Sequence, residues 1–143
     1  MSQLVSIIIP AFEESERLGD SLRQILTYVT KENLNSELIV VDDGSKDDSA
    51  KIVESIQDNR IRLIHQENAG VSVARNRGIK EAISDYVAFL DADDLWKIDY
   101  LETIYDLIQK HPNAGLYATA YEMQSKNKTR KLKIKGFEFN EGI

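Results

Sequence analysis

The chain contains no cysteine, which excludes disulfides and thiolate metal sites. Only two histidines, His65 and His111, stand among its 143 residues, so a zinc centre built on imidazole is not expected. A metal here would be a hard cation on oxygen ligands, Mg²⁺ or Mn²⁺. Proline occurs twice, at Pro10 and Pro112. Pro10 is expected to stop a central strand and Pro112 to follow the end of a helix. No apolar run reaches membrane-spanning length. The opening Met1-Ser2-Gln3-Leu4 lacks the basic flank and apolar run of a signal peptide, and a cytoplasmic protein is the expectation. Basic residues are outnumbered, 18 to 24, by acidic ones. The net charge is −6, although six basic residues and no acid lie between Lys126 and Lys135. The remainder is strongly acidic, which argues against a broad nucleic-acid-binding face.

Hydrophobic residues make up 42% and charged residues 29%, the balance of a soluble globular chain with a core of its own. The most informative stretch is Tyr86-Val87-Ala88-Phe89-Leu90-Asp91-Ala92-Asp93-Asp94. Its apolar run suits a strand buried on both faces, as in a parallel sheet. Three carboxylates at its end cannot be buried unpaired, so they face solvent, a ligand or a metal. A helix cap is the plainer role for Asp94 or Asp99.

Strands are expected over Leu4–Ile9, Glu37–Val41, Ile61–His65, the run ending at Leu90, and Gly115–Tyr121. Helical spacing joins Leu18, Leu22, Ile25, Leu26 and Val29; then Ile52, Val53 and Ile56; then a segment beginning near Val71; then Leu101, Ile104, Tyr105 and Ile108. Ser45 and Asp48 resemble a capping box with Asp in place of Glu. Ala74, Gly78 and Ala82 form a row of small residues suited to close helix packing. Arg130 to Lys135 alternates basic and apolar residues, as an exposed edge strand would. This alternation of strands and helices predicts an α/β fold with a largely parallel sheet. Four polar loops then share its carboxyl edge, where open α/β sheets bind ligands: Pro10 to Glu14, Asp42-Asp43, Asn68-Ala69-Gly70 and Asp91 to Asp94. Asp91 and Asp93 suit Mg²⁺ beside substrate phosphates. Phe12 offers an aromatic face for a base, or a core side chain. Asp43 offers an acceptor for a base N–H. Arg75 offers a phosphate contact, or a solvated helix face.

The motifs resemble the family 2 glycosyltransferases. Ser6-Ile7-Ile8-Ile9-Pro10-Ala11-Phe12-Glu13-Glu14 is similar to their S-I-I-I-P-T-Y-N-E, and Val40 to Asp47 to V-V-D-D-G-S-T-D. Asn68 to Gly78 resembles N-x-G-x-x-x-A-R-N-x-G, and Phe89 to Asp94 resembles F-L-D-A-D-D. The four lie in order within roughly residues 4 to 120. The resemblance implies a GT-A, Rossmann-like fold with helices on both faces of the sheet, a nucleotide-sugar donor and a divalent metal. By this resemblance Pro10, Phe12 and Glu14 line the base and ribose pocket, and Asp43 accepts from the base. Asn68, Gly70 and Arg75 border the nucleotide. Asp91 contacts the ribose, and Asp93, with Asp91, holds Mg²⁺ or Mn²⁺. Phe12 replaces the usual Tyr and Glu13 the usual Asn.

UDP is the donor nucleotide that the resemblance favours, with a glycan or lipid-linked saccharide as acceptor. The sugar and the oligomeric state stay open. The family's catalytic base lies in a later Glu-Asp pair, and no Asp follows Asp106 here, so no catalytic base is assigned. Residues 1–143 are expected to form one donor-binding domain, cut off before the acceptor half. The basic tail is expected to be an edge strand, with an anionic acceptor or the inner membrane face as its alternative partner. Two rivals share an acidic carboxyl edge: a Mg²⁺-binding receiver-like signalling domain and an Asp-based phosphohydrolase. In both, the key acids follow the first strand; here they follow later ones.

Overall fold

The computed structural model describes residues 4–125 and 128–131. They fall into two compact units, divided between Trp96 and Lys97. The first holds β1 (Val5–Ala11), α1 (Leu18–Lys31), β2 (Ser36–Asp42), α2 (Ser49–Ser55), β3 (Ile61–His65), α3 (Val71–Glu81) and β4 (Tyr86–Phe89). The four strands form one parallel sheet in the order β3-β2-β1-β4.

The two central strands, β1 and β2, are buried because helices cover both faces. On one face Ile7, Ile9, Ala11, Leu38 and Val40 pack with Leu18, Leu22, Ile25 and Val29 of α1 and Val53 of α2. On the other, Ile39 and Val41 meet Ala74 of α3. Side chains alternate across a strand, so continuous apolar runs are what a doubly covered strand needs. Here Gly78 has a steric duty. A Cβ on it would stand 2.3 Å from Cγ2 of Ile8, so α3 lies against β1 only because that position carries no side chain.

Several expectations are corrected. Pro10 does not stop β1, which runs on to Ala11. Ile8 carbonyl accepts from Leu90 N–H on the β4 side, and Ala11 carbonyl accepts from Asp43 N–H on the β2 side. Alternation therefore turns Pro10 toward β4, whose ladder has already ended at the Ile8–Phe89 pair; the missing N–H breaks no bond. The run ending at Leu90 is not buried on both faces. β4 is an edge strand, and Val87 and Phe89 are exposed. The Ser45–Asp48 capping box does not form. Asp48 occupies the cap position of α2 without a side-chain cap bond, and the Ser45 hydroxyl is used by another loop.

The second unit contains α4 (Tyr100–Lys110) and a hairpin of β5 (Glu122–Ser125) with β6 (Lys128–Lys131). Residues 115–121, expected as a fifth strand, form none: among the described residues no neighbouring strand pairs with them, and an unpaired strand is not stable by propensity alone. Of the edge strand expected over Arg130 to Lys135, only Arg130 and Lys131 are described, both in β6 (Lys128–Lys131), and Leu132 to Lys135 lie outside the described residues. Glu122 pairs with Lys97 and Lys131, both exposed, contacts of small energetic weight. Among the described residues no helix is long and apolar enough to cross a membrane.

The Gly78–Ile8 contact makes a direct prediction. Gly78→Ala is expected to lower the unfolding free energy by about 1–3 kcal/mol through overpacking. Combined with Ile8→Ala, which opens space at the same spot, it is expected to cost less than the sum of the two single changes. Urea melts of the three variants check this; strict additivity would mean that the helix has shifted away and that the contact does not limit packing.

Candidate functional site

All four polar loops do lie at the carboxyl edge of the sheet, and side chains hold them there. Three consecutive N–H groups follow β1. Glu13 N–H donates to Ser45 Oγ at 2.9 Å, Glu14 N–H to Ser49 Oγ at 2.9 Å, and Ser15 N–H to Asp47 Oδ2 at 3.1 Å. Asp47 Oδ1 also accepts from the N–H and hydroxyl of Ser49. These bonds, above all that from the Ser49 hydroxyl, outweigh the effect of burial and hold the Asp47 carboxyl at about 2, below its ordinary 3.8. Glu13 sits at φ 53, in the left-handed region that costs a side-chain-bearing residue roughly 1–2 kcal/mol. The latch stabilises the turn that imposes this strain.

Asp43 is 3% exposed. Its Oδ1 accepts from Ala69 N–H at 2.9 Å and Gln66 Nε2 at 2.6 Å, and its Oδ2 from Gly70 N–H at 2.8 Å. Burial pushes this carboxyl up, but the bonds from Ala69, Gln66 and Gly70 win and its pKa lies below the ordinary value. Gly70 caps α3, so a carboxylate also stands where the helix dipole favours negative charge. Gly44, at φ 75, lets the Asp43 turn approach the Asn68 loop: a Cβ there would come within 2.8 Å of the Asn68 nitrogen. Next door, Asp42 is buried, with its carboxylate accepting from Ser45 N–H at 3.1 Å and lying 3.1 Å from His65 Nδ1.

Phe12 is 45% exposed immediately beyond β1. Its neighbour Ala11 is hydrogen-bonded to Asp43, so the aromatic ring and the buried acid belong to adjacent loops. Pro10 is buried within β1. Glu14 directs its carboxylate at Arg17, 2.8 Å away. Arg75 and Asp91 meet directly. One guanidinium nitrogen, Nη2, lies 2.7 Å from Oδ1 and 2.8 Å from Oδ2 of Asp91. Arg75 Nε is buried with no hydrogen-bond partner among the described residues.

Carboxylate oxygens of Asp91, Asp93 and Asp94 lie within 4.8 Å of one another. Loss of solvent and then the charges of Asp93 and Asp91 push the Asp94 carboxyl above its ordinary value, with Arg75 pulling the other way. An all-oxygen donor set with excess negative charge fits Mg²⁺ or Mn²⁺. Asp94 is therefore a further candidate ligand. The signal for it in the sequence is a third carboxylate directly after Asp93 at the end of the apolar run. The latch residues Ser45, Asp47 and Ser49, and Gln66, were not singled out for their roles by sequence reasoning. Short polar side chains in a turn mark it as a turn, but not which distant N–H groups they serve.

The architecture and this acidic edge define a GT-A-type α/β domain. A family model described as glycosyl transferase family 2 matches residues 6–142, and the chain belongs to that family. It is 38% identical over 113 residues to glycosyltransferase GlyG of Streptococcus pneumoniae serotype 4, covering 77% of this chain and 36% of that protein. It is 33% identical over 129 residues to the putative teichuronic acid biosynthesis glycosyltransferase TuaG of Bacillus subtilis, covering 88% of this chain and 50% of that one. Among solved structures it resembles the mannosyltransferase PcManGT from Pyrobaculum calidifontis in complex with GDP-Man and Mn²⁺. The TM-score is 0.64 at 26% identity, over 73% of this chain and 32% of that one. The chain thus spans about a third to a half of the length of these relatives.

Two outcomes are expected from the latch. Asp47 binds its proton less readily folded than unfolded, so its stabilising contribution is complete above about pH 4 and is lost as the pH falls toward about 2. Asp47→Asn should therefore flatten the pH dependence of unfolding in that window. Equal slopes for both proteins in urea melts would show that the latch carries no such linkage. Glu13→Asn should raise stability by up to about 1 kcal/mol, because Asn enters the left-handed region more readily; a lower melting temperature would contradict this.

Proposed function

We propose that this chain carries the donor site of a glycosyltransferase that moves a sugar from a nucleotide-sugar, with UDP as preferred nucleotide, to a glycan or lipid-linked acceptor. The observation that carries the reading is the clustering of the Asp91, Asp93 and Asp94 carboxylates, with Arg75 paired to Asp91, at the edge where the four family motifs converge. The Mn²⁺ and GDP-Man of the structural relative PcManGT support it, and the family resemblance favours UDP. On this reading Phe12 stacks on the base beside Asp43, whose Oδ2 accepts a single bond, from Gly70 N–H, and keeps a lone pair for a base N–H. Pro10 and Glu14 border the ribose, and Asn68 and Gly70 form the opposite wall. Asp93, with Asp91 and Asp94, would hold Mg²⁺ or Mn²⁺, which supplies charge neutralisation for the departing diphosphate. In an inverting transfer the acceptor hydroxyl attacks the anomeric carbon and loses its proton to a base. None of the residues assigned here fills that last role. The donor site works at the inner side of the cell, where nucleotide-sugars are made, with the basic hairpin as the surface for an anionic acceptor or membrane.

Calorimetry with UDP, with and without Mn²⁺, tests the reading. Asp93→Ala is expected to abolish the metal-dependent part of UDP affinity, at least tenfold, and to leave the melting temperature unchanged, because Asp93 is exposed. Equal UDP affinity in chelator and in Mn²⁺ for the unsubstituted chain would overturn the metal role.

A further inference from the structure

The geometry of Arg75 points to a function that rests on the donor-site reading but is not contained in it. Arg75 spans both oxygens of Asp91 with one nitrogen. Among the described residues no other ion pair reaches Asp91, Asp93 or Asp94. A divalent cation entering this cluster meets a fixed positive charge already seated on one of its ligands. Both ions need the same lone pairs, and like charges held a few ångströms apart in a partly desolvated loop repel strongly. Yet the guanidinium is not well satisfied. Its Nε is buried without a partner, and an unpaired buried N–H is costly. A planar guanidinium prefers two parallel N–H bonds to one anionic group, and Asp91 receives only one nitrogen.

We infer that Arg75 competes with the cation for Asp91, and that a nucleotide diphosphate resolves the competition by drawing Arg75 onto its own oxygens. An incoming phosphate offers acceptors to both Nε and Nη2, and it restores the negative charge that Arg75 had cancelled. Asp91 is released, and the cation gains a ligand at the moment the diphosphate provides further oxygens. Cation and diphosphate then bind as a coupled pair, each tightening the other by the same factor. The free chain holds few cations, so the site is charged with metal only when donor is present.

The test is a titration of the 143-residue chain with Mn²⁺ alone, followed by free Mn²⁺ from its electron paramagnetic resonance signal, and repeated in saturating UDP. For the unsubstituted chain, UDP is expected to tighten Mn²⁺ binding by about fivefold or more. Arg75→Gln removes the competing charge and keeps a hydrogen-bonding side chain. It should tighten Mn²⁺ binding without UDP by about fivefold or more and shrink the enhancement that UDP brings. Arg75→Lys keeps the charge and should leave Mn²⁺ binding alone close to that of the unsubstituted chain. Thermal melts confirm folding; if Arg75→Gln does not fold, Arg75→Met, which keeps the apolar stem, takes its place. Unchanged or weaker Mn²⁺ binding in a folded Arg75→Gln overturns the inference, because Arg75 would then be orienting Asp91 as a ligand. If the unsubstituted chain shows coupled binding but the variant does not respond, the competition alone falls. If the unsubstituted chain binds no UDP even with Mn²⁺, the donor-site reading falls and the inference with it.

Discussion

A carboxylate that is 3% exposed must find donors inside the protein. Asp43 finds three, all from the segment between β3 and α3, and this requirement organises the carboxyl edge. The loops there have no ladder of their own, and their N–H groups need acceptors as much as Asp43 needs donors. Asp43 supplies them to Ala69 and Gly70; Ser45, Ser49 and Asp47 supply them to Glu13, Glu14 and Ser15. The turn after β2 thus faces both ways, one half toward the β1 loop and the other toward the start of α3. Gly44 is the pivot, since a side chain there would collide with the Asn68 backbone. Removing the Asp43 carboxylate would leave three donors unpaired, so a loss of nucleotide binding on truncation would not by itself establish the base contact proposed for it.

The acid cluster follows a different rule. Asp43 and Asp47 have pKa values below the ordinary range because their acceptor positions are filled by N–H and O–H donors. Asp94 moves the other way, through loss of solvent and the charges of its acidic neighbours. Two kinds of carboxylate therefore share one edge. The first kind keeps its charge, stabilised by the fold's own N–H and O–H donors, and holds loops with it. The second kind faces a single guanidinium, which leaves three carboxylates against one positive charge in a loop within reach of one ion. Charge left uncompensated by the fold is what the proposed cation binding would draw on.

Much of the scaffold was legible in the sequence because its signals are local. Helical spacing located α1, α3 and α4, and the apolar runs located β1 to β4. Once strands and helices alternate, the placing of four polar loops on one edge follows from geometry. The row Ala74–Gly78–Ala82 announced a close approach, and Ile8 is what Gly78 approaches. The errors share a cause: each depended on a partner distant in sequence. The run Tyr86–Phe89 is apolar enough for the centre of a sheet, but strand order is decided by which neighbours pair, and β4 ends at the edge. Residues 115–121 have strand-forming composition and no partner among the described strands. Ser45 looks like a helix cap until Glu13 claims its hydroxyl from 32 positions away. The acids beyond β4 were readable because three adjoining carboxylates cannot all be buried at the end of an apolar run. Their pairing with Arg75 was not, since nothing in the spacing of residues 75 and 91 says that a helix and a loop will bring them together.

The opposite edge of the sheet shows why such freedom is confined to the carboxyl end. There Glu37, 6% exposed, accepts from Ser6 Oγ, from Ile83 N–H at 2.9 Å and from Arg62 Nη1 at 3.2 Å. Arg62 also donates to the Glu81 carbonyl at 2.8 Å, and the Ser6 and Ser84 hydroxyls meet at 2.7 Å. Burial pushes the Glu37 carboxyl up, but the Ser6, Ile83 and Arg62 contacts outweigh it and keep its pKa below the ordinary value. This cluster closes the link from α3 to β4 and thereby sets where β4 begins. β4 in turn carries the acids at its far end, four residues of parallel pairing away. A hydrogen-bonded polar cluster thus stands at one end of the strand, and an under-compensated one at the other. The first ties the start of β4 to β1 and β2, and the second begins just beyond the last β1–β4 pair, Ile8–Phe89, where Asp91 meets Arg75.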